Sequence, residues 1–293
     1  MIYTIFNEYL SVSVESFGAE LRSVLSADGT EYIWQRDERY WGDCAPVLFP
    51  YIARLYDNSY SYQGQRYNMG IHGFAAQCEF VAEDVKNDSL TLVLRENEET
   101  LRQYPFRFKL SIRYSLSGAS LCVSYRVENL DGKAMPFALG GHPGINVPFA
   151  PGTDFEDYYL SFGEACSPSR IGFTDDVFLS GEDRPYPLED GRTINLSHSL
   201  FDNDAIILKD TAKSISLACR KNGKCLSMSF PGFDYFGIWH MPKTDAPYVC
   251  LEPWTSLPSR QGVVEELMEK PDMIIIDAGQ QCEKRWTLSV SEG

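Results

Sequence analysis

Apolar and polar residues alternate along much of this chain. In an extended strand, successive side chains point to opposite faces of a sheet, so an alternation with a period of two predicts strands that bury one face. Four stretches carry the pattern clearly: residues 10–16 (LSVSVES), 90–96 (LTLVLRE), 108–116 (FKLSIRYSL) and 121–129 (LCVSYRVEN). The sequence therefore predicts a fold dominated by half-buried strands.

Short connections join several of these predicted strands into hairpins. Residues 108–116 and 121–129 are separated only by SGAS, and residues 214–220 (SISLACR) and 225–230 (CLSMSF) only by KNGK. Asn222-Gly223 in the second connection predicts a type I′ turn. Three more strands are predicted at residues 234–240 (DYFGIWH), 247–253 (PYVCLEP) and 284–290 (KRWTLSV).

Helical periodicity is rare. Residues 99–104 (ETLRQY) predict a single turn, and residues 261–270 (QGVVEELMEK) a short surface helix. Many strands joined by short turns, without alternating helices, indicate an all-β fold built as a sandwich or a barrel. Because no linker, repeat or low-complexity run interrupts the chain, we expect one domain over residues 1–293.

The charge of the chain excludes some partners. It carries 26 basic and 41 acidic residues, for a formal net charge of −15. An acidic surface repels phosphate backbones and anionic membrane surfaces, so neither nucleic acid nor a membrane is an expected partner. A neutral small molecule fits this charge more easily.

The N-terminal stretch and the cysteines bear on the compartment. MIYTIFNEYLSVSVES lacks the basic start and continuous apolar core of a signal peptide, and no run of eighteen apolar residues predicts a membrane span. The eight cysteines include no CxxC pair. Although Cys219 and Cys225 flank the Asn-Gly turn, reduced thiols are the favoured interpretation. We therefore expect a cytoplasmic protein.

Four short stretches each place one polar residue in aromatic or glycine-rich surroundings. They are VLFPYIARLYD with Arg54, MGIHGFA with His72, LGGHPGIN with His142, and YVCLEPW with Glu252. No GxSxG, HExxH, P-loop or GxGxxG motif accompanies them. Taken singly, each residue has an ordinary structural explanation: a strand histidine in the core, a solvated arginine or a paired glutamate.

The glutamate stretch shows how a strand could tune a carboxyl group. Alternation puts Val249 and Leu251 on one face and Cys250 and Glu252 on the other, and the following proline is expected to end the strand. A carboxyl beside Trp254 would be partly desolvated, which raises its pKa toward the range useful for a base.

In combination and order, these stretches resemble a known family. LFPYIARL, GIHGFA, GGHPGINVPF and VCLEPW are similar to the ordered signatures of the aldose 1-epimerase (galactose mutarotase) family, and in particular to its LacX-like branch. The resemblance runs over roughly residues 1 to 290. It implies a large antiparallel β-sandwich, in agreement with the strand pattern, and an enzyme that interconverts the α and β anomers of free sugars.

The resemblance also implies roles for individual residues. Glu252 corresponds to the general base and His142 to the general acid, while His72 and Arg54 would hydrogen-bond the sugar. An aspartate in LFDNDAIIL would grip hydroxyl groups; Asp204 is preferred over Asp202 because it directly precedes the apolar run. Opening and closing a hemiacetal ring requires only proton transfers, so neither a metal nor another cofactor is expected.

Aromatic and glycine residues near these stretches are also candidates for the binding site. Trp239, Trp254 and Phe74 could form an apolar platform for a sugar ring, although core packing explains them equally well. The glycines before His142 are interpreted as leaving room for a ligand. Two positions depart from the family pattern: Gly144-Ile145 stand where Tyr or Phe is common, and Ala53 where glycine is usual.

Three other functions are considered. A hexose-6-phosphate 1-epimerase would need several cations for the phosphate, and the stretches offer mainly Arg54 and Lys243. A carbohydrate-binding protein could retain the pocket without efficient catalysis. A zinc hydrolase could use two histidines and a glutamate, but the short-spaced ligand pair typical of such sites is missing.

Overall fold

The computed structural model describes residues 1–291, and antiparallel strands form most of that range. In the first half of the chain the strands are β1 Ile2–Phe6, β2 Leu10–Glu15, β3 Glu20–Ser26, β4 Val47–Leu48, β5 Ser59–Tyr62, β6 Gln65–Asn68, β7 Val81–Val85, β8 Ser89–Arg95, β9 Phe108–Ser117, β10 Ser120–Asn129, β11 Met135–Phe137, β12 Gly140–Gly141 and β13 Gly144–Asn146. In the second half they are β14 Tyr158–Phe162, β15 Ser169–Arg170, β16 Arg184–Pro185, β17 Thr193–Asn195, β18 Ile206–Lys209, β19 Ser214–Cys219, β20 Cys225–Ser229, β21 Tyr235–Trp239, β22 Tyr248–Trp254, β23 Ile274–Ile276 and β24 Gln281–Ser291.

Helical structure is limited to short segments. The α-helix α1 covers Glu98–Gln103, and the 3-10 helices are Tyr56–Asn58, Ala75–Gln77, Phe155–Asp157 and His198–Phe201. Asn97 begins α1 because its side chain accepts hydrogen bonds from the amides of Glu99 and Thr100. The predicted helical turn at residues 99–104 is therefore confirmed.

One large sheet has nine strands in the order β17-β14-β19-β20-β24-β10-β9-β8-β7. Along β9, Leu110, Ile112 and Tyr114 are buried, whereas the residues between them are partly exposed. Burial therefore alternates with a period of two, as the sequence predicts, because one face of the sheet covers the core and the other faces solvent. The strands predicted from alternation are confirmed.

The second large sheet is built around β22. Its order is β16-β15-β18-β21-β22-β12-β4, and β13 also pairs with β22. Every residue of β22 is buried, and the strand is central in its sheet, with β21 paired along one edge and β12 and β13 along the other. Smaller sheets of β1-β2-β3, β5-β6 and β11-β23 complete the described strands.

The two large sheets meet at the double glycine before His142. A Cβ at Gly141 would lie 2.8 Å from Trp286 Nε1 of β24 and 3.2 Å from the Tyr125 hydroxyl of β10. A Cβ at Gly140 would lie 2.9 Å from Leu48 Cδ1. Gly141 therefore allows the two sheets to pack closely, and Gly140 allows close packing of neighbouring strands within its own sheet. The interpretation that these glycines make room for a ligand is wrong.

Other local predictions are also corrected. Residues 261–270 form turns instead of a helix, because Arg260 pairs with the buried Glu265 and the Leu267 amide donates to the Ser61 carbonyl. The 214–230 hairpin exists, but its turn is not type I′: Gly223 has a φ of 74° and Asn222 has no positive φ. Pro253 does not end its strand, which continues to Trp254.

The structure also describes the helices and the cysteines that the sequence analysis considered. Within residues 1–291, no helix has both the length and the apolar character needed to cross a membrane. The cysteines in this range are free thiols, including Cys219 and Cys225.

Candidate active site

His142 and Glu252 face one another because of strand register. Gly140 of β12 pairs with Trp254 of β22, and Gly144 of β13 pairs with Cys250. Residue 142 is midway between the two glycines, as residue 252 is midway between their partners, so the two side chains emerge on the same face of the sheet. His142 Nε2 lies 3.2 Å from Glu252 Oε2.

Burial sets the charges of this pair. Glu252 is 1% exposed and His142 is 8% exposed. Burial raises the pKa of the Glu252 carboxyl well above its ordinary value; a contact with the Trp254 indole opposes this, and the Asp204 carboxylate adds to the rise. Burial lowers the pKa of His142 to about 4. Both groups therefore favour their neutral forms, and in that state the pair holds one titratable proton, on Glu252.

The pair also presents polar atoms without partners. Among the residues that the structure describes, neither Glu252 Oε2 nor His142 Nδ1 has a hydrogen-bond partner. Although His142 Nε2 lies 3.2 Å from Glu252 Oε2, the two atoms are not aligned for a hydrogen bond. Buried polar atoms are nearly always paired, so two unpaired atoms in one buried pair of side chains indicate a place where a polar ligand binds.

His72 is oriented by the residue that departs from the family pattern. The Ala53 amide donates to His72 Nδ1 at 3.1 Å, and the His72 amide donates to the Ala53 carbonyl at 3.0 Å. Both residues have left-handed backbones, with φ values of 56° and 63°. Left-handed geometry at residue 53 accounts for the usual glycine there, and alanine accepts it at a cost.

The ionisation of His72 follows from these contacts. Burial, His142 and Arg54 together lower the pKa of His72 well below its ordinary value, so its ring is neutral. Because Nδ1 accepts a hydrogen bond, the ring proton is on Nε2, which is left as a donor. The His72 and His142 ring centroids are 5.5 Å apart, and Arg54, on the loop with Ala53, is exposed.

The two candidate aspartates lie in different surroundings. The Asp204 carboxylate contributes to the raised pKa of Glu252. Asp202 instead acts on His240, whose pKa burial lowers to about 4 and the Asp202 carboxylate partly restores. Both aspartates line the same cavity. The electrostatic contact with Glu252 favours Asp204 as the residue nearer the pair.

Aromatic side chains enclose the pair, and not all of them are the ones suggested by sequence. Trp239 lies 5.7 Å from the His142 ring and Trp254 lies 6.2 Å from the His72 ring. Phe74 instead packs in the core, with its ring 5.9 Å from Phe108 and 6.0 Å from Phe49. Trp41, whose ring lies 5.0 Å from that of His142, has no sequence signal because it stands in a loop without periodicity.

A cavity of about 760 Å³ adjoins the pair through Ala53, Asp204 and Trp254. Its lining includes Arg170 and Arg184, two cations that sequence reasoning did not connect with the site. Acidic residues also line it, namely Asp175, Glu182, Asp202 and Asp204. The cavity is therefore mixed in charge.

One group of possible metal donors occurs within residues 1–291. The donor atoms of His142, Cys250 and Glu252 lie within 4.8 Å of one another. Burial raises the pKa of the Cys250 thiol well above its ordinary value, and Glu252 adds to this rise. The thiol therefore remains protonated, which weakens it as a ligand because metals bind the thiolate.

A sequence model described as aldose 1-epimerase matches residues 1–266. The chain therefore belongs to the aldose 1-epimerase family. Among individual proteins, it is 36% identical to the chromosomal protein LacX of Lactococcus lactis subsp. lactis over 276 residues, which cover 91% of this chain and 92% of that protein.

Solved structures agree with this assignment. A galactose mutarotase related enzyme from Lactobacillus acidophilus superposes with a TM-score of 0.95 at 34% identity, covering 100% of this chain and 98% of that one. A galactose mutarotase-like protein from Lactobacillus casei superposes with a TM-score of 0.92 at 30% identity, covering 99% and 100%. The predicted all-β sandwich of the galactose mutarotase type is confirmed.

Proposed function

We propose that this protein interconverts the α and β anomers of a free aldose, with Glu252 as general base and His142 as general acid. The observation that carries the proposal is the buried pair itself. Its facing atoms are 3.2 Å apart, and two of its polar atoms lack partners among the described residues. Membership in the aldose 1-epimerase family and the mutarotase-related structures support a sugar epimerase.

The reaction matches one acid and one base held close together. The base takes the proton from the C1 hydroxyl, the acid protonates the ring oxygen, and the bond between C1 and that oxygen breaks. Rotation about the C1–C2 bond and closure with the roles reversed give the other anomer. Such acid–base groups each contribute typically about 10²–10⁴-fold, and no cofactor is required.

The electrostatics of the pair suit this cycle. A small rotation of either side chain aligns the two atoms, which are 3.2 Å apart, and the single proton of the pair can then move from Glu252 to His142. This transfer creates the carboxylate and imidazolium that the reaction uses. The cycle returns the proton at its end, because one group gains a proton when the other loses one. The low-dielectric surroundings strengthen each of these interactions.

The neighbouring residues have properties that suit binding of sugar hydroxyls. His72 offers a donor at Nε2, Arg54 offers guanidinium donors, and Asp204 offers acceptors near Glu252. Trp239 and Trp254 present aromatic rings near the two histidines, where the apolar face of a pyranose could rest.

The test is anomer exchange measured by NMR on a panel of free aldoses that includes glucose and galactose. The Glu252→Gln variant keeps the shape of the side chain and removes its basic function. We expect acceleration by the wild type and a kcat lower by about 10²–10⁴-fold in the variant. Sugar binding without exchange in the wild type would instead support a carbohydrate-binding protein.

A hexose 6-phosphate is a second candidate substrate, and one observation favours it. Arg170, Arg184 and Lys243 line the same cavity, which is more positive charge than the sequence motifs suggested. Arg184 pairs with Glu182, however, and three further acidic residues share the cavity, so a free sugar is preferred. Higher kcat/KM for glucose 6-phosphate than for glucose would reverse this preference.

A further inference from the structure

The loop that bears Trp41 is fixed beside the proposed acid. The Trp34 indole donates to the Trp41 carbonyl at 3.0 Å, and the Trp41 amide donates to the Asp37 carbonyl at 2.9 Å. The Tyr40 hydroxyl donates to Asp245 at 2.9 Å, which ties the loop to the connection between β21 and β22. These contacts hold Trp41 in place although it belongs to no strand or helix.

The Trp41 ring contacts the aromatic groups around His142. Its centroid lies 5.0 Å from the imidazole, with an angle of 37° between the planes. It also lies 5.5 Å from Trp239, nearly perpendicular, and 5.6 Å from Tyr248. Trp41 therefore covers one side of the imidazole, and its own ring is held by contacts with Trp239 and Tyr248.

Gly144 leaves room for the Trp41 ring beside His142. A Cβ at residue 144 would lie 3.1 Å from Trp41 Cζ3, 3.1 Å from Trp34 Cβ and 3.3 Å from the Cys44 carbonyl oxygen. The φ of Gly144 is not in the left-handed region, so space is the reason for glycine there. The absence of a side chain two residues after His142 leaves the position that Trp41 occupies.

Hydrogen bonds do not hold the His142 ring from its far side, because Nδ1 has no partner among the described residues. We propose that Trp41 is a positioning residue for His142: its indole holds the imidazole toward Glu252 and closes that side of the pair to water. The inference rests on the proposed function, because it assigns Trp41 to the acid of that reaction.

Two effects follow from this contact. Contact with a fixed ring holds the imidazole in the orientation in which Nε2 meets Glu252, and this orientation is what proton transfer requires. Exclusion of water also keeps the dielectric low around both groups. Loss of the ring should therefore affect kcat more than KM, since the contact is with the acid and not with the sugar.

The experiment compares Trp41→Ala, Trp41→Phe and Glu38→Gln. The last variant is the control, because Glu38 is an exposed residue of the same loop and takes no part in the contacts that hold Trp41. We expect Trp41→Ala to lower kcat on the order of 10²-fold, as misplaced catalytic groups do, and Trp41→Phe to recover most of the loss. Glu38→Gln should retain the wild-type pH profile.

A second readout is independent of activity. The pKa of His142 is measured by NMR titration of its imidazole in wild type and Trp41→Ala. We expect it to rise from about 4 toward its ordinary value in the variant, because water reaches the ring. An unchanged imidazole titration together with unchanged kcat would overturn the inference. If the wild type exchanges no anomers, the titration still decides the contact between Trp41 and His142.

Discussion

His142 lies directly across the sheet from Glu252, with 3.2 Å between Nε2 and Oε2, because β12 and β13 pair with β22 on either side of the histidine. The strand register, rather than a hydrogen bond between the side chains, brings them together. A pair placed by backbone geometry and buried on all sides behaves as one titrating unit. The following predictions depend on that property.

The rate of anomer exchange should show a bell-shaped dependence on pH. Below about pH 4 His142 keeps a proton while Glu252 is also protonated, so the pair has no base. At alkaline pH the pair loses its single proton and has no acid, and the raised pKa of Glu252 places this limb well above the usual carboxyl range. A kcat/KM profile would check both limbs; an alkaline limb in the ordinary glutamate range would contradict the assignment.

Gly237→Ala should weaken catalysis through steric contact alone, because the change neither adds a charge nor removes a polar side chain. Its Cβ would lie 3.0 Å from both Glu252 Cβ and Ile207 Cδ1, so the glutamate must move. We expect kcat to fall about tenfold to 10²-fold, and stability by about 1–3 kcal/mol from overpacking. Gly132→Ala is the matched control, because nothing lies within 4 Å of the added Cβ. Equal kcat in both variants would contradict the close contact.

The alternation of apolar and polar residues made the fold predictable from the sequence. The identity of several site residues could not be explained in this way, because it depends on tertiary contacts. In β9 and β10, apolar residues alternate with polar ones because one face of the sheet is buried and the other is solvated. Such alternation is visible in the sequence itself. The reason for Gly140 and Gly141 was misinterpreted, because the groups that require glycine come from other strands. Leu48 of β4 leaves no room for a side chain at residue 140, and Trp286 of β24 leaves none at residue 141. Nothing local in the sequence connects them.

The candidate site shows the same division. The motif residues His142, His72 and Glu252 lie together, although their roles stay proposals until activity is measured. Trp41 was missed because a loop residue has no periodicity, and its relation to Gly144 appears only in space. The predicted helix at residues 261–270 failed because pairing of Arg260 with Glu265 and backbone bonds to Ser61 outweigh helix propensity.

Asp204→Asn should act on both substrate binding and the base. Loss of the carboxylate removes an acceptor for sugar hydroxyls, so KM should rise, by about tenfold for one charged hydrogen bond. It also removes a negative charge that raises the pKa of Glu252, so the alkaline limb should move to lower pH. Asp202→Asn is the control and should leave the limb in place. A shift of the limb in Asp202→Asn but not in Asp204→Asn would reverse the assignment.

Glu252→Gln should stabilise the protein at neutral pH. Because the folded-state pKa of Glu252 is raised, the unfolded chain releases this proton at a lower pH than the folded chain does. Wild-type stability therefore falls as pH rises above the ordinary carboxyl range, by about 1.4 kcal/mol for each unit of pKa difference. The amide side chain of the Glu252→Gln variant does not ionise, so this part of the pH-dependent loss of stability is absent from the variant.

Thermal unfolding of Glu252→Gln and wild type at acidic and neutral pH checks this effect. The advantage of the variant should grow as pH rises, and the exposed Glu164→Gln change serves as the control for a lost surface charge. An advantage that is constant with pH would mean that Glu252 ionises normally in the folded protein.

The central claim is that Glu252 and His142 act as one unit sharing one proton. The most direct measurement is anomer exchange by NMR in wild type, Glu252→Gln, His142→Asn and the double variant. We predict that each single change lowers kcat by about 10²–10⁴-fold and that the double variant is no worse than the poorer single one. Losses that multiply in the double variant, or full activity in either single variant, would contradict the account.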